Sequence, residues 1–137
     1  MIECKVKIRT WYRDTDQMGI IHHSNYVTYF EAARGEAMRQ LGYTYKDMEA
    51  QGIMMPVVDV RLHYISPAYY DELLTFVVRV EKMPMARIEF LYDVYNEQQK
   101  LITTGSVTLG FMHSDTRRPC RAPQWFVEML RKAGLED

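Results

Sequence analysis

The change of hydrophobic period along the chain constrains its fold more than any other feature. Between residues 25 and 41 apolar side chains recur every three or four positions, whereas most segments after residue 57 alternate apolar and polar residues. The first spacing gathers apolar side chains on one face of a helix, and the second gathers them on one face of a strand. The sequence therefore predicts one long amphipathic helix and several half-buried strands.

The predicted elements fall in an order that favours an α+β fold. Strands are predicted over residues 2–12, 57–66, 73–83, 86–96 and 101–112, and helices over residues 25–41, 44–51 and 124–133. Ser24 and Gly42 have the residue types expected to cap the long helix at its two ends. The second half shows no alternation of strand and helix, which predicts a largely antiparallel sheet. The edges of such a sheet favour pairing between copies of the chain.

Composition and charge exclude several classes of function. The 137 residues contain 47% hydrophobic and 26% charged residues and no linker or repeat, so we expect one domain over residues 1–137. The net charge of −1 argues against a nucleic-acid surface. No apolar run approaches the roughly 18 residues of a membrane span, and no signal peptide is visible. Two cysteines give neither a disulfide framework nor a metal spacing, which predicts a cytoplasmic protein with reduced thiols.

The loop before the long helix carries the residues most suited to metal binding or catalysis. Its D-x-D-x-x-G pattern begins like a calcium loop, but Met18 and Asn25 occupy positions where calcium needs strong oxygen ligands. His22 and His23 are adjacent at a helix start, so their rings diverge and cannot easily share one transition-metal ion. We therefore expect no metal.

Acyl chemistry without a metal fits the same loop. A helix N-terminus offers free N–H groups that can hold a carbonyl oxygen as it becomes negative. A nearby carboxylate can attack the carbonyl carbon or activate water. Asp16 and the N–H groups around His23 could supply both functions. Aspartates in loops also commonly hydrogen-bond their own backbone, so a turn role for Asp14 and Asp16 stays open at this point.

Three segments resemble one known family. They are YRDTDQMG followed by HHSNY in residues 12–26, YFEAAR in residues 29–34, and YISPA followed by DEL in residues 64–73. Together with the order of elements, they resemble the hot-dog-fold acyl-CoA thioesterases of the 4-hydroxybenzoyl-CoA thioesterase-like group, which includes the Tol–Pal-associated thioesterase. The resemblance covers nearly the whole chain.

The resemblance implies a fold, a reaction and an assembly. In this family a curved antiparallel sheet wraps a long central helix, and two copies join into dimers that often pair into tetramers. An acyl-CoA substrate binds at the dimer interface and is hydrolysed to a free acid and CoA, without a cofactor. The resemblance leaves the acyl group open, and it leaves open whether the carrier is CoA or an acyl-carrier protein.

The resemblance also implies roles for individual residues. Asp16 matches the family's nucleophile or general base, and the backbone N–H of His23 matches the group that polarises the thioester carbonyl. Residues implied to contact substrate are Gly19, His22, Tyr26, Tyr64 and Ser66. Tyr64 and Ser66 are expected to approach the CoA arm from the partner subunit.

Two alternatives remain at the level of sequence. Some hot-dog thioesterases use a glutamate of the central helix, for which Glu31 is a candidate, although a solvated or Arg34-paired surface charge is the simpler interpretation. The other alternative is a protein that binds acyl-CoA or an acyl-carrier protein without hydrolysis, because a fold does not fix a function.

Overall fold

The computed structural model describes all residues, Met1–Asp137. Its strands are β1 (Ile2–Arg9), β2 (Ile53–Met54), β3 (Val57–Tyr64), β4 (Leu73–Val80), β5 (Arg87–Tyr95), β6 (Leu101–Gly110) and β7 (Met112–His113). Its helices are α1 (Asn25–Gln40), α2 (Tyr45–Ala50) and α3 (Gln124–Lys132). A single 3₁₀ turn spans Tyr12–Asp14.

Five of the strands form one antiparallel sheet in the order β1-β4-β5-β6-β3. Helix α1 packs against one face of this sheet. Side chains of β1 alternate between buried and exposed along the strand, as the sequence predicts for a half-buried strand. The structure thus has the predicted α+β class, with a long helix lying on a largely antiparallel sheet.

Close approach between α1 and the sheet depends on one glycine in β6. The Phe30 ring of α1 stacks on Tyr92 of β5, with ring centroids 4.0 Å apart. A Cβ atom at Gly105 would lie 2.6 Å from the Phe30 ring and 2.6 Å from the Arg61 carbonyl oxygen. Only a residue without a side chain fits between the helix and the sheet here.

The two ends of α1 differ from each other in how they are capped. Gly42 has a φ of +101°, and the N–H groups of Gly42 and Tyr43 donate to the carbonyls of Arg39 and Met38. This pattern is a Schellman motif, and it confirms Gly42 as the predicted C-terminal cap. Ser24 occupies the N-cap position, but its side chain makes no capping hydrogen bond. The predicted N-cap position is therefore confirmed, but Ser24 does not cap through its side chain, because its hydroxyl lies 2.8 Å from Nδ1 of His22.

Several predicted boundaries were too long. Strand β1 ends at Arg9 rather than residue 12, where the chain turns into the 3₁₀ segment. Strands β3, β4 and β6 also end two or three residues before their predicted ends. The small antiparallel pair of β2 and β7 was not predicted, because two-residue strands leave too little pattern to detect.

The two edges of the sheet have different surfaces. On β1 the exposed positions carry Glu3, Lys5, Lys7 and Arg9, which is a usual protection against edge pairing. On β3 most side chains on both faces are exposed, including Val57, Val58 and Val60 at 53%, 46% and 37%. None of the three helices combines the length and the apolar composition that a membrane span requires.

Candidate active site

Asp16 folds the loop before α1 into a tight turn. Its Oδ1 accepts hydrogen bonds from the N–H groups of Met18 and Ile20, at 2.8 and 3.4 Å. Its carbonyl accepts from the N–H of Gly19, whose φ of +79° suits glycine. The turn role considered from sequence is therefore present. It occupies one carboxylate oxygen and leaves Oδ2 without a hydrogen-bond partner in the chain.

Asp14 ties the same loop to α1. Its Oδ2 accepts from the Tyr29 hydroxyl at 2.8 Å, and its carbonyl accepts from the N–H of His22 and the Asn25 side chain. Burial and this bond to Asp14 raise the pKa of Tyr29 well above its usual value, so the phenol stays a donor. The two aspartates are two residues apart, and Asp14 is held by the fold on both its side chain and its backbone.

The start of α1 presents a free backbone donor. The N–H of Ser24 donates to Nδ1 of His22 at 3.2 Å, which places the ring proton of a neutral His22 on Nε2. The N–H of His23 donates no hydrogen bond within the chain. An unpaired N–H at the positive end of a helix is suited to bind a developing negative charge.

A cavity of about 370 Å³ lies beside this helix start, and we call it the Asp16 cavity. It brings together five of the seven residues predicted for the site. Its lining residues are Asp16, Met18, Ile20, Ile21, His23, Tyr26, Tyr64, Ile65, Ser66 and Pro67. Gly19 and His22 do not line it. They shape the loop, one through its positive φ and the other through its contacts with Ser24 and Asp14.

Tyr64 and Ser66 lie in the same protomer's cavity as Asp16, although the resemblance places them near the partner's substrate. The Tyr64 hydroxyl donates to the carbonyl of His23 at 3.1 Å, which joins β3 to the start of α1. The rings of Tyr64 and Tyr26 pack edge to face, with centroids 5.6 Å apart. Tyr26 is buried, and burial raises its pKa. The fully buried Thr103 hydroxyl beside it makes no hydrogen bond of ordinary geometry.

A second cavity of about 390 Å³ lies further along the same helix, and we call it the Arg34 cavity. Glu31 lines it as an exposed residue, whereas Arg34 is only 6% exposed. Glu31 is therefore the solvated charge that the sequence allowed, whereas the alternative of a pair with Arg34 is wrong, because Arg34 points into the protein. Its Nε donates to the Tyr45 hydroxyl at 2.5 Å and its Nη1 donates to the Tyr92 hydroxyl at 3.2 Å.

Sequence reasoning missed Arg34 as a residue of interest. It stands four positions after Phe30, and therefore on the buried face of the helix. That spacing was a signal that its charge does not face solvent. As for metals, no three His, Cys, Asp or Glu side chains lie close enough together to hold an ion.

Comparison with known proteins identifies the family. The model of the thioesterase-like superfamily matches residues 10–130. The chain belongs to this superfamily. YneP of Bacillus subtilis strain 168 is 35% identical over 97 residues, which are 71% of this chain and 70% of that protein. YbgC of Escherichia coli O6:H1, named an acyl-CoA thioester hydrolase, is 24% identical over 125 residues, 91% of this chain and 93% of that protein.

A solved structure of this superfamily shows the same architecture. The DHNA-CoA thioesterase from Staphylococcus aureus superposes with a TM-score of 0.89 at 38% identity, and the match covers 97% of this chain and 89% of that chain. These comparisons confirm the family that the three segments predict. They also confirm the hot-dog fold.

Proposed function

We propose that this protein hydrolyses an acyl-CoA thioester to a free acid and CoA, with the Asp16 cavity as its active site. The observation that carries the proposal is that the Asp16 carboxylate and the helix start at His23 line one cavity. The names of the relatives YbgC and the Staphylococcus aureus DHNA-CoA thioesterase support a thioester of CoA as the substrate.

Asp16 supplies the reactive carboxylate. As a general base, it takes a proton from water while the water oxygen attacks the thioester carbonyl carbon. As a nucleophile, its own oxygen attacks, and water then hydrolyses the mixed anhydride that forms. In both routes the C–S bond breaks, the sulfur leaves with the electron pair, and protonation gives CoA thiol. The unpaired Oδ2 is the oxygen available for either role.

The N–H of His23 stabilises the oxyanion. When the carbonyl carbon becomes tetrahedral, its oxygen gains negative charge and needs a donor that is already in place. The Tyr64 hydroxyl bonds the carbonyl of His23 and so holds this peptide segment against β3. Gly19, His22, Tyr26 and Ser66 shape the loop and the cavity around the thioester.

The assembly we propose is a homo-oligomer joined through β3. Its valines are exposed beside the charged Asp59 and Arg61, whereas the apolar side chains of β1 are mostly buried. Pairing of two β3 strands would cover these valines and enclose both cavities, since β3 contributes residues to each. We place the enzyme in the cytoplasm, which agrees with its two unpaired cysteines, Cys4 and Cys120.

The direct test is CoA release from a panel of short, long and aromatic acyl-CoAs, with equilibrium binding of the same compounds measured in parallel. We expect hydrolysis of at least one member. Binding without CoA release from any member would instead favour a protein that carries acyl-CoA without cleaving it. The same acyl groups on an acyl-carrier protein distinguish the two kinds of carrier.

The oxyanion role is tested by comparing His23→Pro with His23→Ala. Proline removes the N–H and alanine keeps it, so the two variants separate the backbone donor from the imidazole. We expect His23→Pro to lose about 100-fold or more in kcat, the usual effect of removing one oxyanion donor. His23→Ala should keep kcat within about 10-fold. Equal losses in both variants, with unchanged circular dichroism, would contradict the backbone role.

A further inference from the structure

Arg34 is a buried cation without an anionic partner. No carboxylate lies within ion-pair distance of its guanidinium. Its two hydrogen-bond acceptors are the phenols of Tyr45 and Tyr92, which stay neutral because burial raises the pKa of both, that of Tyr92 to about 12. The rings of Tyr45 and Phe90, each with its centroid 5.9 Å from Cζ, favour the cation but take no hydrogen bond from it. A buried charge is costly unless its donors are satisfied, so a further acceptor would stabilise this arrangement.

One edge of the guanidinium remains available. Nε and Nη1 are used by the two tyrosines, whereas Nη2 makes no hydrogen bond in the chain. Thr103 Oγ1 is the one fully enclosed side-chain polar atom that lacks a hydrogen-bond partner. Nη2 lacks a partner too, so it is not fully enclosed. Arg34 is one of the residues that line this cavity, and Nη2 is the donor that a group bound there could use. The remaining lining is mainly apolar, with Glu31 and Glu49 as exposed residues at its rim.

The Arg34 cavity and the Asp16 cavity are separate, but both are lined by residues of α1 and of β3. His23 lines the Asp16 cavity, and Val27, one helical turn further, lines the Arg34 cavity. On β3, Tyr64 lines the first cavity and Val60 lines the second. From Asn25, where α1 begins, to Arg34 the helix rises about 14 Å, and helical side chains lean back toward the N-terminus, which brings the guanidinium closer.

We propose that Arg34 is a specificity-determining residue, which binds an oxygen acceptor at the far end of the acyl group. The acyl group would run from the thioester at Asp16 past Val27, with its apolar part against the valines and methionines of the second cavity. Its distal oxygen, from a hydroxyl or a carboxylate, would accept a hydrogen bond from Arg34. This inference rests on the proposed function for the position of the thioester.

Binding of hydrolysis-resistant analogues tests the inference without relying on catalysis. In these analogues a methylene group separates the CoA sulfur from the carbonyl. One series has linear acyl chains of about six to about twelve carbons, chosen to reach along the axial rise of about 14 Å. A second has a fused bicyclic aromatic acyl group. Each member is made with a methyl or hydrogen, a hydroxyl, or a carboxyl at its distal end.

For the wild-type protein, we expect the oxygen-ended member of at least one series to bind about 10-fold or more tightly than its apolar counterpart, as for a hydrogen bond to a charged group. Arg34→Met should bring that ratio to within about threefold. Tyr92→Phe is the matched control, because it removes a hydrogen bond of Arg34 without altering the lining of the cavity. It should keep the preference.

Several results would overturn the inference. They are equal wild-type affinities for all distal ends, a preference that survives Arg34→Met, and no binding of any analogue. If Arg34→Met does not fold, the wild-type affinities for the different distal ends decide the question by themselves. Hydrolysis of the matching thioesters without an end-group preference contradicts only the role of Arg34. A preference in binding without any hydrolysis contradicts only the proposed function.

Discussion

At the scale of single residues, two aspartates in one loop have different surroundings. Asp14 is bound by Tyr29 through its side chain and by His22 and Asn25 through its carbonyl. Asp16 uses one oxygen to shape its turn and lines the cavity. We infer that Asp14 positions the loop on α1 and that Asp16 acts on the substrate.

Two glycines of β6 give a matched test of the packing between helix and sheet. A Cβ at Gly105 would meet the Arg61 carbonyl, which cannot move away easily, whereas a Cβ at Gly110 would have only contacts of 3.8 Å or more. We expect Gly105→Ala to lower the free energy of unfolding by about 1–3 kcal/mol, the range for overpacked sites. Gly110→Ala should change it much less. Urea denaturation measures both, and equal stability of the two variants would contradict this account of the packing.

At the scale of elements, the short helix α2 is stabilised by a capping box. The N–H of Asp47 donates to Thr44 Oγ1 at 3.2 Å, and the N–H of Thr44 donates to Asp47 Oδ2 at 2.9 Å. This cap holds the helix that carries the buried Met48, which lines the Arg34 cavity. We expect Thr44→Ala to cost about 1 kcal/mol of stability in chemical denaturation. The exposed Lys46→Ala on the same helix should stay within about 0.5 kcal/mol of wild type, and an equal loss there would argue against the cap.

The same box predicts a dependence of stability on pH. The hydrogen bond from the Thr44 N–H lowers the pKa of Asp47 in the folded protein. A lowered folded pKa stabilises the fold above the unfolded pKa of about 3.9, and this contribution is lost as pH falls through the folded value. The stability difference between wild type and Asp47→Asn should therefore be larger at neutral pH than near pH 3, where we expect it to shrink. A difference independent of pH would contradict the prediction.

At the scale of the whole molecule, the unequal sheet edges predict how copies assemble. Val58 is one of the exposed valines of β3, and a lysine there would replace an apolar contact in the proposed interface with a charge. We expect Val58→Lys to shift the protein to monomer in size-exclusion chromatography with light scattering. Lys5→Glu on β1 should leave the mass unchanged. A wild-type monomer, or dissociation by Lys5→Glu instead, would contradict assembly through β3.

Much of the architecture could be predicted because periodicity reports local burial. The long helix and five long strands follow from it, and the family resemblance of the loop and of the YISPA segment led to five residues that share one cavity. Other features depend on contacts that no local pattern contains. The burial of Arg34 needs Tyr92, which is 58 residues away, and the role of Ser24 follows from the orientation of the His22 ring. The short β2–β7 pair likewise exists only because the fold brings its two segments together.

Steady-state hydrolysis by Asp16→Asn and Asp14→Asn, compared with wild type on the best acyl-CoA, tests the central claim most directly. Asparagine at position 16 keeps an oxygen for the Met18 and Ile20 bonds but removes the charge, so the fold should persist. We predict that Asp16→Asn lowers kcat by about 100-fold or more, with an unchanged melting temperature. Asp14→Asn should lower the melting temperature and reduce kcat much less. Near-normal kcat in Asp16→Asn, with activity abolished in a folded Asp14→Asn, would contradict the assignment of Asp16.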